Sequence, residues 1–226
     1  DEIRYWWYKI RNRQPSEFML PVDSIGTQPS QINNNNSTFW ALRDVSFEVP
    51  EGSVIGIIGK NGAGKSTMMK LLAGIIQPDE GQIFIDGAEA DISSPSVSEG
   101  MGITMVFQEL NLFNPMSVAA NMFISKELKN RVGLINDREM CTQAEAVLEQ
   151  LEVEFKATDA VATLSTGQKQ IVEIARAIHR GTSVVIMDEP NSALNEQETK
   201  VLFDIINNLK KDGITILYVS HRLEEV

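Results

Sequence analysis

The chain has 226 residues, room for one large domain, or for one with a sizeable subdomain, at roughly 150 residues per domain. Its 31 Asp and Glu against 20 Lys and Arg leave a formal net charge of −11, which repels phosphate backbones and anionic lipid alike and argues against a nucleic-acid partner. The lone Cys141 closes no internal disulfide, as expected in a reducing compartment, and uncharged apolar runs such as residues 54–59 and 184–187 fall far short of the roughly 20 residues of a membrane-spanning helix.

From the start at Asp1, which suggests a chain cut from a longer one, an aromatic cluster of Tyr5, Trp6, Trp7 and Tyr8 runs into Lys9, Arg11 and Arg13. It reads as a strand with buried aromatics rather than as an amphipathic membrane patch. Residues 14–37 turn to Pro, Ser, Gln and Asn and read as a loop or linker. Alternation over residues 41–49 predicts a strand, Pro50-Glu51-Gly52 a turn, and residues 54–58 a buried strand. A glycine-rich loop follows, after which Met68, Met69, Leu71, Leu72, Ile75 and Ile76 recur at helical spacing until Pro78. Further strands are predicted at residues 82–85, 102–107, 184–187 and 214–219, and helices at 137–151, 171–178 and 201–209. Strands alternating with helices imply a mostly parallel sheet in an α/β fold.

Gly59-Lys60-Asn61-Gly62-Ala63-Gly64-Lys65-Ser66 fulfils the phosphate-binding loop pattern, after a predicted strand and before a predicted helix. Its glycines let successive backbone N–H groups turn inward around phosphates, Lys65 bridges the β and γ oxygens, and Ser66, followed by Thr67, ligates Mg2+. A glycine turn that merely joined strand to helix would need neither Lys65 nor Ser66. Residues 184–187 form an apolar strand that ends in Asp188 and Glu189. Buried carboxylates are costly without a cation, so Asp188 is assigned to the metal side and Glu189 to the base for an attacking water.

Leu164-Ser165-Thr166-Gly167-Gln168, upstream of that acidic strand, resembles the signature motif of ABC-type ATPases. In order, Gln108 is similar to the family's Q-loop glutamine, Ser192-Ala193-Leu194-Asn195 to its D-loop, and His221 to its switch histidine. The resemblance covers residues 39–226, which would form the ATPase domain with a helical subdomain at about residues 109–181, residues 1–38 standing apart. It implies a P-loop NTPase fold with a mostly parallel sheet core, an antiparallel β subdomain and a helical signature subdomain. It also implies a head-to-tail dimer with ATP between one phosphate loop and the partner's signature motif. Gln108 would then touch Mg2+ and the attacking water, His221 would orient water and γ-phosphate, and Ser165, Thr166, Gly167 and Gln168 would approach the γ-phosphate held by the partner. Thr166 replaces a usual glycine of the signature, Asn195 stands where many members have aspartate, and Asn191 follows Pro190 as a milder departure. His179 lacks that context and reads as structural.

Four stretches, residues 74–81, 106–112, 172–175 and 220–225, are similar to ATPases of bacterial monosaccharide importers. Residues 39–49 and 54–59, with the N-terminal tail, look more like ATPases of polysaccharide exporters. Both branches handle carbohydrate, and the surroundings of Gln108 favour import. The resemblance implies a peripheral protein at the cytoplasmic face of the inner membrane, partnered by a second ATPase subunit and transmembrane permease subunits. Phe39, Trp40 and Tyr8 are candidates to stack on adenine. A soluble ABC ATPase working on DNA or ribosomes is disfavoured by the acidity, the absent zinc cysteines and an interval from Gln108 to Ser165 too short for a long coiled-coil arm. A binding module without turnover would lack Lys65, Asp188, Glu189 or His221, and all four are present.

Overall fold

The computed structural model describes residues 5–9 as backbone, and residues 42, 45–60, 62–107 and 110–220 in full. In chain order these form β1 (Tyr5–Lys9), β2 (Ser46–Pro50), β3 (Val54–Ile58), α1 (Lys65–Leu72), β4 (Gln82–Ile85), β5 (Ala88–Ala90), α2 (Pro95–Gly100) and β6 (Ile103–Val106). They continue through α3 (Val118–Met122), α4 (Asp137–Gln150), α5 (Thr166–His179), β7 (Val184–Asp188), α6 (Glu196–Lys211) and β8 (Thr215–Ser220).

β7 organises the molecule. Its apolar run suits a central parallel strand covered on both faces, and all five of its residues are buried. Successive side chains of a strand point to opposite faces. Accordingly Val185 and Met187 join one core with Met122, Leu148, Ile174 and Leu202 from the helices, whereas Val184 and Ile186 join another with Met68, Met69 and Leu72 of α1 and Val49 and Ile83 of the antiparallel sheet. The parallel sheet has the order β3-β8-β7-β6. Ile58 pairs with Ser220, Asp188 with Val219 and Val106 with Met187, so the four carboxyl ends lie along one edge. Loops leaving that edge converge, which is where open α/β sheets place their ligands.

The second sheet is antiparallel, in the order β2-β1-β4-β5. The aromatic segment is strand β1, with Trp7 opposite Glu48 on one side and Phe84 on the other. Residues 14–37, the expected linker, lie outside the described residues.

Two predicted strands differ from the observed ones. The strand expected over residues 41–49 begins only at Ser46, and β3, expected to be buried, has only Ile57 buried because it ends the sheet order. The helix expected at 171–178 starts five residues earlier, at Thr166, because Ser165 caps it. The short α2, capped by Ser94 with Pro95 at its first turn, and α3, capped by Ser117, carry too few turns for apolar periodicity to reveal them.

Candidate functional site

The glycine loop leaves β3 and enters α1 through Gly64, whose φ of 86° is the left-handed conformation that glycine adopts without strain. Within the loop the Ala63 N–H donates to the Lys60 carbonyl at 3.1 Å. Lys65 is buried and folds back over the loop, donating from Nζ to the carbonyl oxygens of Gly59 at 2.5 Å and Lys60 at 3.2 Å. Those contacts curl the loop around its own ammonium, a group with three donors that a phosphate oxygen can share. Ser66 and Thr67 are half-buried in the first turn of α1, and the Ser66 hydroxyl donates to Asp188 Oδ1 at 3.1 Å. Gly62 is exposed, and Asn61 lies outside the described residues.

Asp188 is the last residue of β7 and is buried. Glu189 continues the ladder by donating its N–H to the Val219 carbonyl at 2.9 Å, then turns the chain out of the sheet with a φ of 48°. A non-glycine residue held in that region costs about 1 kcal/mol, and such strain concentrates at functional sites. The Ser66 hydroxyl and Asp188 carboxylate also pass a chemical test for Mg2+. That ion takes oxygen ligands, binds through one or two carboxylates and fills its remaining positions with water and substrate phosphate. One hydroxyl and one buried carboxylate 3.1 Å apart beside a phosphate loop suit such an ion.

The signature turn opens α5. Ser165 and Gln168 close a reciprocal cap: the Ser165 N–H donates to Gln168 Oε1 at 2.9 Å, and the Gln168 N–H donates to Ser165 Oγ at 3.2 Å. Thr166 is exposed, and Gly167 is buried. The Ser165 hydroxyl and the Gly167 N–H also both donate to Glu198 Oε1, at 2.7 and 3.2 Å. Asn195 is the N-cap of α6, its Oδ1 accepting the Glu198 N–H at 2.9 Å.

Glu198 is the partner of this turn that sequence reasoning missed. The pattern Asn195-x-x-Glu198 signals a helix cap, but nothing local to it signals a contact with Ser165. Gln108 and His221 lie outside the described residues, directly beyond Phe107 and Ser220, as do Phe39 and Trp40 and the side chain of Tyr8. His179 packs its ring on Phe123 with centroids 4.1 Å apart, in keeping with a structural reading. Among the described residues there is no cluster of three or more His, Cys, Asp or Glu that could hold a metal alone.

A parallel α/β sheet with a phosphate loop between strand and helix, and an acidic pair at the end of a central strand beside it, defines a P-loop NTPase. Residues 42–192 match the ABC transporter family model, and the chain belongs to that family. It is 45% identical over 185 residues to the ribose import ATP-binding protein RbsA of Bacillus licheniformis, an overlap that takes in 82% of this chain and 38% of that protein. The chain therefore spans less than half the length of that relative. Its fold is similar to a nucleotide-free ATP-binding cassette from an ABC transporter, at 29% identity and a TM-score of 0.73 over 84% of this chain and 80% of that one. It is also similar to a dimeric cassette in a post-hydrolysis state bound to ADP and Pi, at 29% identity and a TM-score of 0.68 over 83% and 82% of the two chains.

Proposed function

We propose that this chain is the ATP-binding unit of a bacterial carbohydrate importer, which closes with a second copy or a related domain over Mg-ATP and hydrolyses it to drive membrane permease subunits. The observation that carries the reading is the 3.1 Å bond from Ser66 to Asp188, which joins two motifs 122 residues apart at one edge of the sheet. The relative named for ribose import supports carbohydrate import over polysaccharide export. The dimeric cassette bound to ADP and Pi supports a shared nucleotide site. Residues 39–226 would be the ATPase unit, and the helical subdomain at about 109–181 its signature-bearing part. No helix among the described residues is long and apolar enough to cross a membrane; in this reading the permease subunits hold the unit at the cytoplasmic face of the inner membrane.

Each residue type has a task in this reading. Backbone N–H groups of residues 59–67 cradle the phosphates, and Lys65 neutralises the β and γ oxygens. Ser66, Asp188 and Gln108 would hold Mg2+, which when bound neutralises charge on the β- and γ-phosphates. Glu189 takes a proton from water as the water oxygen bonds to the γ-phosphorus and the bond to the bridging oxygen breaks, leaving ADP with the electron pair. His221 orients the water and the γ-phosphate. Ser165, Thr166, Gly167 and Gln168 serve the γ-phosphate held by the partner, at a helix N-terminus that favours an anion.

Glu189→Gln is expected to lower the ATPase rate by about 100- to 10,000-fold while retaining ATP binding, and Lys65→Ala to abolish binding; equilibrium nucleotide binding and phosphate release measure the two effects. A Glu189→Gln variant that hydrolyses ATP at the normal rate would rule out the base assignment.

A further inference from the structure

The donors at the signature turn already have an anion on them. The Ser165 hydroxyl and the Gly167 N–H converge on a single oxygen of Glu198, at 2.7 and 3.2 Å. Its other oxygen accepts the Asn195 N–H at 3.1 Å, and Asn195 Oδ1 accepts the Glu198 N–H in return. One carboxylate thus serves the N-termini of both α5 and α6, where unsatisfied N–H groups and the helix dipole favour negative charge. The approach is close: a Cβ added to Gly167 would lie 2.8 Å from Glu198 Cδ and Cγ. The bond from Ser165, then that from Asn195, holds the Glu198 carboxyl below the usual carboxylate range, so the group on the turn is an anion.

We propose that Glu198 is a resident carboxylate that occupies the γ-phosphate position of the signature turn and must be displaced before two copies close over ATP. This rests on the reading that Ser165 and Gly167 serve the partner's γ-phosphate. A carboxylate and a phosphate cannot share those two donors, because like charges repel and each N–H or O–H supplies one proton. Glu198 is only half-buried and keeps the Asn195 N–H as an alternative partner, so it can swing aside without leaving α6 uncapped. In the open molecule the carboxylate satisfies the turn and preserves its shape. On closure it sets a threshold that the γ-phosphate has to exceed, so Glu198 acts as a positioning residue that raises the ATP requirement.

Glu198→Gln separates this from a purely structural role, since glutamine still supplies the polar cap of α6 but carries no charge and only one carbonyl oxygen. The test measures the ATP concentration for half-maximal dimerisation in the Glu189→Gln background, by size-exclusion chromatography with light scattering, beside the melting temperature without nucleotide. Glu198→Gln is expected to lower that concentration by about five-fold, because hydrogen bonds to a charged acceptor are roughly twice as strong as neutral ones, with little change in melting temperature. Glu198→Ala should lower it too, although it melts earlier through loss of the cap. An unchanged or raised ATP requirement in Glu198→Gln, in a protein that does dimerise with ATP when Glu198 is present, overturns the displacement alone. Failure of the parent Glu189→Gln protein to dimerise in ATP overturns the shared-site reading, and this inference with it.

Discussion

His179 lies in the last turn of α5 with its ring against Phe123. Burial, then the positive Arg180 and Lys126, hold its imidazole below the ordinary value of 6.5. The folded protein therefore binds fewer protons than the unfolded chain just below 6.5, so stability is present above that value and lost as pH falls through the folded-state pKa. An NMR titration should place the His179 midpoint below 6.5, and in His179→Phe the acid-side loss of unfolding free energy should be shallower. A midpoint at or above 6.5 contradicts the packing argument. Legibility at this scale follows the chemistry. Lys65, Ser66 and Asp188 could be picked out because their residue types have no cheap structural substitute at that spacing. The bond between Glu198 and Ser165 could not, because it depends on how α5 and α6 dock, and that contact spans 33 positions of sequence.

Among the elements, the segment after Gln108 is tied down at two points. Glu173, buried on α5, accepts the Asn111 N–H at 3.0 Å and pairs with Arg176, which donates to the Asn111 carbonyl at 3.3 Å. Burial pushes the Glu173 carboxyl up, while Arg176 and the Asn111 N–H pull it back. At Phe113, two residues beyond Asn111, the backbone N–H donates to Oδ1 of Asn121 of α3 at 2.7 Å, and the Asn121 amide donates to the carbonyls of Phe113 and Ser117 at 3.1 and 3.0 Å. Asn121 is fully buried, so removing its amide strands backbone groups away from water. Asn121→Ala is expected to cost about 2 kcal/mol in urea unfolding; a loss below about 0.5 kcal/mol, the range of ordinary surface changes, would contradict the clamp. Helix α4 was legible through apolar spacing over its 14 residues, whereas α6 was legible only over residues 201–209 of its 16, because its polar, capped first turns carry no apolar period. The five-residue α3 and three-residue β5 were not, since neither is long enough to express a period.

For the whole molecule, the alternation of strands and helices made the parallel sheet legible, whereas the placement of β1 between β2 and β4 was not, because such pairing is made across a long interval of chain. The sheet edge gathers the phosphate loop and the acidic pair, while the signature turn spends its own hydrogen bonds on Glu198 at α6. A site in which each copy supplies only part of the chemistry must depend on association. The most direct test is the steady-state ATPase rate per molecule of this chain as its concentration is raised at saturating Mg-ATP. The proposed shared site predicts a specific rate that climbs with protein concentration and levels off as dimers fill; a specific rate that stays constant from the most dilute sample upward would contradict it.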